Sequence, residues 1–473
     1  MSKSKIKTRF CPSPTGLLHL GNVRTALFDA LLAKGQQGIF LLRIEDTDKT
    51  RSEERYAAAL QEDLAWLGLQ WDEGPGWEGD AGPYWQSQRQ GIYDQYYQQL
   101  EEQAFAYPCF CSEEQLAVAR KLQRASGRPP RYPGTCRNLT LEQVQEKLAQ
   151  GLKPTLRFRV IQDGETVFHD LVRGEQRFNN NDIGDFIIRR ADGTPPFMYC
   201  NAIDDSLMGV THALRGEDHL TNTPRQIMIL QALHLPTPFY GHISLIVGAD
   251  GAPLSKRHGS RSVHALREEG YLPIAVVNYL ARLGHYYGQE SLMSLPQLAE
   301  QFSLNALGSA PARFDPHQLL YWQRSAVAQL DKQAFTEWMG GQTLRNIPEP
   351  QREIFIASVQ ANVTFPADVA HWAKIFFSDD WEYGDSQLEV LREAGPEFFA
   401  TALSAIAEDG FDYEKITHAL KNNLGVKGKA LFQPLRIALT GELHGPELLQ
   451  ILNLLGEERL TARLRKAEEA ATR

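Results

Sequence analysis

The order of elements in the first 86 residues constrains this chain more than any other feature. Ile6-Lys7-Thr8-Arg9-Phe10 alternates as a strand does. A turn built from Pro12-Ser13-Pro14-Thr15-Gly16 follows, and then Val23, Ala26, Leu27, Ala30 and Leu31 recur at helical spacing. Ile39-Phe40-Leu41-Leu42-Arg43-Ile44 reads as a second strand, with a second helix from about Ser52 to Leu67. Such alternation implies parallel strands joined by right-handed crossovers, the nucleotide-binding half of a doubly wound, Rossmann-type α/β fold. The glycine-rich dinucleotide fingerprint is missing, which counts against an NAD enzyme.

A strand, a tight turn and a helix start together direct free N–H groups and a positive dipole end at one place, which suits phosphate. Asn22 is well placed as the helix cap, and His19 sits in the turn on neither apolar face. A lone histidine there would read as an ordinary loop residue. A second phosphate-type segment far downstream, Leu254-Ser255-Lys256-Arg257-His258-Gly259, tips the reading toward function.

With 473 residues the chain should hold three or four domains, and its 42% hydrophobic and 23% charged content suits a soluble globular protein. Without a long apolar run or an apolar leader, no membrane span and a cytoplasmic location are expected. A net charge of −9 argues against a nucleic-acid partner only if the charge is evenly spread. Arg120, Lys121, Arg124, Arg128, Arg131 and Arg137 fall in one stretch free of acids, and Lys415, Lys421, Lys427, Lys429 and Arg436 in another. Either stretch taken alone could be a solvated face; as a pair inside an acidic protein they suggest docking of a polyanionic backbone.

Five cysteines do not read as a disulfide framework. Cys11 and Cys200 lie in apolar, strand-like surroundings and read as core residues. Cys109-x-Cys111, then Tyr132 and Cys136, have the spacing of a tetrahedral zinc site with Tyr132 as a fourth ligand, or of three free thiols in a loop. Zinc there would be structural, since nothing nearby resembles a nucleophile or base.

Further along, 155–160 and 166–173 read as strands of an α+β insertion that splits the nucleotide-binding fold. The parallel sheet is expected to resume with strands at 197–205, 210–219 and 243–247, around a helix at 223–234. Strands stop at Ser262, and amphipathic helices such as 273–283, 353–363, 387–393 and 447–455 follow, with a boundary near Arg324.

His19-Leu20-Gly21-Asn22 resembles the HIGH signature of class I aminoacyl-tRNA synthetases, and Leu254-Ser255-Lys256-Arg257 resembles their KMSKS loop. Pro12–Gly16, Arg43-Ile44-Glu45-Asp46-Thr47-Asp48, Asn201–Asp205 and Leu214-Arg215-Gly216-Glu217-Asp218 are similar to the glutamyl/glutaminyl branch. Helical C-terminal domains fit bacterial glutamyl enzymes; the glutaminyl enzymes carry β-barrels there. The resemblance implies ATP-dependent attachment of L-glutamate to the 3′ end of tRNA through a glutamyl-adenylate, releasing AMP and pyrophosphate, by a monomer using ATP with Mg2+.

The resemblance also implies roles. His19 and Lys256 are the catalytic pair, and Gly21, Asn22, Asp218, Ile246, Ser255, Lys256 and Arg257 bind ATP. Arg9, Ser13, Glu45, Phe197, Asn201 and Arg215 bind glutamate. Cys109, Cys111, Tyr132 and Cys136 hold one structural Zn2+. The implied domains are 1–86 with 197–245 (catalytic), 87–196 (tRNA acceptor-binding insertion), 246–323 (stem contact, with the lysine loop) and 324–473 (anticodon-binding). The chain departs from the family at Pro253, where a lysine is usual, and at Phe197, where many relatives have Tyr; Tyr199 stands two residues on. Three alternatives are a tRNA-binding paralogue without catalysis, a tRNA-modifying relative, and a small-molecule nucleotidyltransferase. The retained motifs oppose the first, the long helical tail the second, and the length and basic insertion the third.

Overall fold

A computed structural model describes residues 5–254, 261–378 and 381–472, apart from positions 49, 78 and 128. The chain divides into two compact units, Met1–Leu266 with Val276–Pro316, and Arg267–Ala275 with His317–Arg473.

In the first unit, β1 (Lys7–Phe10), α1 (Leu20–Gly35) and β2 (Ile39–Leu42) form the expected parallel crossover, with Lys7 opposite Ile39. Gly38 permits it: a Cβ there would meet the Ile6 carbonyl oxygen at 2.1 Å. Helices α2 (Glu54–Trp66) and α3 (Gln90–Glu102) follow. The insertion then contains β3 (Ala106–Cys109), α4 (Glu113–Ala125), α5 (Leu141–Ala149), β4 (Thr155–Phe158), β5 (Glu165–Asp170), β6 (Gly174–Asn179), α6 (Asn180–Ile183) and β7 (Phe186–Arg189). Strands β3, β4 and β7 make an antiparallel sheet, and β5 with β6 makes a hairpin. After it come α7 (Phe197–Leu207), β8 (His212–Gly216), a 3-10 turn (Glu217–Asn222), α8 (Thr223–Ala232), β9 (Phe239–Ile243) and β10 (Ile246–Val247). Strands β8 and β9 are a second parallel pair, and Thr211 N–H donates to the Lys7 carbonyl at 2.9 Å, tying that pair to the first.

Five expectations need correction. Residues 197–205 form α7, a helix, not a strand. Tyr199 to Ser206 are all buried, so no polar face marks a 3.6-residue period, and Pro196 at the cap leads into the helix. Cys200 therefore lies in a helix; it is buried as expected, whereas Cys11 is only half-buried, in the loop after β1. The cap of α1 is His19, with no side-chain bond, and Asn22 lies inside the first turn. The segment 243–247 is broken at Ser244–Leu245, and β9, unforeseen, supplies the partner of β8. Strands also continue past Ser262: β11 (Ala312–Arg313) pairs in parallel with β10.

The second unit is helical. Its core gathers Phe335, Phe355, Phe376, Phe398, Phe399 and Leu431, each essentially inaccessible. The last helix, Leu448–Thr472, is interrupted at Gly456, whose φ of 70° breaks the helical path. Lys415, Lys421, Lys427 and Lys429 are exposed, as the basic stretch requires, while Arg436 is half-buried and donates to the Pro446 carbonyl. In the insertion Arg120, Lys121 and Arg124 are exposed on α4, whereas Arg137 is taken by Asp185 and the Val160 carbonyl.

Candidate active site

The turn between β1 and α1 leaves His19 and Ser13 exposed, and the 16-residue helix behind His19 ends in free N–H groups. Gly21 lies in its first turn, where a Cβ would have no atom within 4 Å. Packing does not demand glycine there, and glycine costs a helix about 0.5–1 kcal/mol relative to alanine. Its use is consistent with close approach of a ligand. Asn22 is exposed beside it.

Ser255, Lys256 and Arg257 lie outside the described residues. The flanks of their segment are described. Ser262 pairs with His19 in an antiparallel bridge, and Val263 N–H donates to the Leu18 carbonyl at 3.0 Å. On the other side Leu254 N–H donates to the Ile246 carbonyl at 2.9 Å, and Pro253 bridges Val247. Two stretches more than 200 positions apart in sequence thus meet at the His19 turn.

Beneath this turn lies a cluster of buried charge. Arg9 Nε is 3.0 Å from Asp205, and its Nη1 donates to the Leu214 carbonyl at 3.0 Å. Arg43 reaches Glu45 at 3.0 Å, Asp205 at 2.8 Å and Asp204 at 3.8 Å. Arg89 completes the chain to Asp204 at 2.7 Å. All six side chains are at most 4% exposed, so each charge depends on its partners rather than on water. Burial opposes ionisation of Asp205, but Arg9 and Arg43 outweigh it and hold its carboxyl below the usual range. Burial raises Glu45, against the pull of Arg43 and the Asn201 amide.

Within this cluster several expected ligand groups are already engaged. Asn201, fully buried on α7 rather than at a strand end, donates to Glu45 at 2.7 Å and accepts from Gln226 at 2.9 Å. Among the described residues the side-chain bonds to Glu45 all fall on Oε1, and Oε2 accepts none. Cys11 accepts from Asn201 at 3.5 Å, and burial pushes its thiol up to about 12, which leaves it neutral and unsuited to attack.

Arg215, at the end of β8, differs from the arginines of this cluster. Among the described residues no carboxylate pairs with it. Its Nε donates to His242 at 3.2 Å and its Nη2 to the Thr223 hydroxyl at 2.7 Å, while Nη1 is buried with no partner. Burial lowers its basicity, as expected for a guanidinium without an anion. Asp218, past the end of β8, is exposed. Phe197 opens α7, its ring 4.9 Å from that of His219, whose imidazole burial and Arg215 push down to about 4. Tyr199 does not stand in for the missing hydroxyl: it is buried, stacked on Tyr97 at 4.3 Å, and donates to the Tyr93 carbonyl.

In the insertion, Cys109 ends β3, and the sulfurs of Cys109, Cys111 and Cys136 lie within 4.8 Å of one another. Cys111 and Cys136 are 3.7 Å apart, too far for a disulfide and close to the ~3.8 Å edge that tetrahedral Zn–S bonds imply. The Tyr132 hydroxyl is 3.3 Å from Cys109 and 3.7 Å from Cys111. The donor set fits zinc.

Comparison with known proteins decides the family. The model for tRNA synthetases class I (E and Q), catalytic domain, matches residues 5–321, and that for the anticodon binding domain matches residues 323–468. The chain belongs to the class I tRNA synthetases of the E and Q branch. Glutamate–tRNA ligase 1 of Coxiella burnetii is 57% identical over 98% of this chain and 99% of its own, and glutamate–tRNA ligase 2 of Nitrosococcus oceani is 57% identical over 98% of each. A solved glutamate tRNA ligase from Elizabethkingia meningosepticum, in complex with its amino acid, superposes with a TM-score of 0.87 at 30% identity, covering 98% of this chain and 99% of that one.

In this class I synthetase sequence reasoning gave no role to Arg43, Asp204 and Asp205, although their motifs were noted, and missed Arg89, Thr223 and His242. An arginine closing the apolar run Ile39–Leu42, and two adjacent acids within an apolar segment, were the available signals. His242 carried none. Replacing Arg43 by Met strands Asp205 and Glu45 with part of their counter-charge gone. The expected loss is about 3–5 kcal/mol of unfolding free energy in urea titrations, as for other broken buried pairs; a loss under about 1 kcal/mol would show that the cluster is not cooperative.

Proposed function

We propose that this chain activates L-glutamate with ATP and transfers it to the 3′ end of tRNA. The observation that carries the reading is Arg215, a buried guanidinium whose Nη1 lacks a partner among the described residues, on β8, whose lead-in residue Thr211 hydrogen-bonds to β1 just before the His19 turn. A substrate carboxylate would supply the missing charge, and an arginine fork suits carboxylate geometry. The names of the relatives point to the same substrate pair.

In the first step a carboxylate oxygen of glutamate attacks the α-phosphorus of ATP. The new O–P bond forms as the bond to the β-phosphate oxygen breaks, and pyrophosphate leaves. In the second, a hydroxyl of the terminal ribose attacks the mixed anhydride and AMP leaves. Little covalent help is needed; positioned cations and N–H donors stabilise the developing phosphate charge.

His19 and the start of α1, with Gly21 and Asn22, face the α-phosphate in this reading, and Asp218 and the backbone at Ile246 face the nucleoside. Lys256, with Ser255 and Arg257, serves the pyrophosphate side. Arg215 and Arg9 take the carboxylates, Glu45 the ammonium; Ser13, Phe197 and Asn201 complete the pocket. ATP enters as its Mg2+ complex. Exposed α4 and the lysines of 415–429 are the faces for tRNA. The four-part division at 86, 196, 245 and 323, a monomeric state and a cytoplasmic location belong to the same proposal. Cys109, Cys111 and Cys136 with Tyr132 would hold one Zn2+, which stabilises the insertion and takes no part in the reaction.

Two outcomes follow. Lys256→Ala and His19→Ala should each lower ATP–pyrophosphate exchange, run with glutamate and tRNA present, by roughly 10²–10³-fold while tRNA affinity is kept; equal loss of both would contradict the assignment. The wild-type chain should carry about one equivalent of zinc by metal analysis and Cys136→Ser much less; no zinc in wild type would end the metal reading.

A further inference from the structure

The hairpin of the insertion ends against Arg215 through two groups that the proposed reaction does not use. Asp170 closes β5, fully buried, and its Oδ1 accepts from the N–H groups of Val172 at 3.0 Å, Arg173 at 2.9 Å and His242 at 3.2 Å. Its Oδ2 is hydrogen-bonded to His242 Nδ1. His242 is fully buried on β9. A carboxylate can only accept, so the proton between them belongs to Nδ1. That leaves Nε2 with a lone pair, and Arg215 Nε donates to it at 3.2 Å. The Thr223 hydroxyl, 2.9 Å from the same Nε2, accepts from Arg215 Nη2. Asp170 thus sets the tautomer, the tautomer supplies the acceptor, and the acceptor fixes one edge of the guanidinium. Among the described residues only Nη1 is left without a partner.

We propose that Asp170 and His242 are positioning residues for glutamate: they lock Arg215 so that its Nη1 is held ready for a substrate carboxylate. This rests on the reading of Arg215 as a carboxylate ligand. Two residues from the insertion hairpin and from β9 then act on substrate affinity without touching substrate. Asp170 also ties its hairpin turn together, so a purely structural role is the competing account, and the test must separate the two.

Asp170→Asn presents an amide N–H to His242 Nδ1, which moves the imidazole proton to Nε2 and opposes it to Arg215 Nε–H. In exchange assays on the full-length chain with tRNA present, this variant should raise KM for L-glutamate by about 10-fold or more, with kcat and KM for ATP within about 3-fold of wild type. His242→Gln places a side-chain carbonyl where Nε2 was and needs no tautomer, so it should stay within about 3-fold of wild type. Adding Asp170→Asn to His242→Gln should then cost little more, a non-additivity that a structural role would not produce. Unchanged KM for glutamate in Asp170→Asn, a parallel rise in both KM values, or additive effects would overturn the proposal. Should Asp170→Asn fail to fold, His242→Met, which lacks the acceptor, must exceed His242→Gln in KM for glutamate; equal values overturn it. Arg215→Gln separates the two levels. If it raises KM for glutamate and Asp170→Asn does not, the positioning role fails alone; if it leaves KM unchanged, the assignment of Arg215 itself fails.

Discussion

Everything in the catalytic half is arranged around charge taken out of water. Arg9, Arg43 and Arg89 face Glu45, Asp204 and Asp205 in one continuous network in which every side chain is nearly inaccessible. Such a network offers weak net stabilisation, because desolvation offsets most of the attraction, but loss of any member leaves a neighbour unpaired. Its formal charges balance, three against three. Arg215, over the Tyr240 ring at 4.8 Å, is a buried cation with no carboxylate partner among the described residues. Its Nη1, where β8 ends, has no hydrogen-bond partner among the described residues.

The same cluster explains the sheet. Arg9 comes from β1, Arg43 follows β2, and Asp204 and Asp205 come from α7, so the ion pairs join segments nearly 200 positions apart. The bond from Arg9 to the Leu214 carbonyl, with that from Thr211 to Lys7, sets β8 beside β1. The insertion enters the arrangement through the turn after β5, where Asp170 meets His242, Arg173 pairs with Glu217, and Leu171 N–H donates to the Tyr240 carbonyl at 2.9 Å. The part of the chain that splits the nucleotide-binding fold is therefore also one of its supports.

Much of this was legible before any coordinates. The β-α-β opening follows from short apolar runs set apart by Pro and Gly turns, and the β5–β6 hairpin from strands that alternate between buried and open faces. Helix α7 was misread for the opposite reason: a helix wrapped on nearly all sides shows no face, and Asn201, Asp204 and Asp205 disguise its burial. Strand β9 was missed because Phe239-Tyr240-Gly241-His242-Ile243 mixes a glycine and a histidine into a short run. In the site, the types of residue were readable and their pairings were not. Sequence could nominate Arg9 and Arg215 as carboxylate ligands, but it could not say that Arg9 was already paired with Asp205 and Arg215 was not. Nor could it show that Tyr199 turns inward, away from the place where Phe197 lacks a hydroxyl.

The most direct check of this picture is a high-resolution structure of the chain with L-glutamate bound. A carboxylate oxygen should lie about 2.7–3.2 Å from Arg215 Nη1, with the pairing of Arg9 and Arg43 to Asp205 undisturbed. Glutamate bound elsewhere, with Nη1 still unpaired or bonded only to water, would contradict the account.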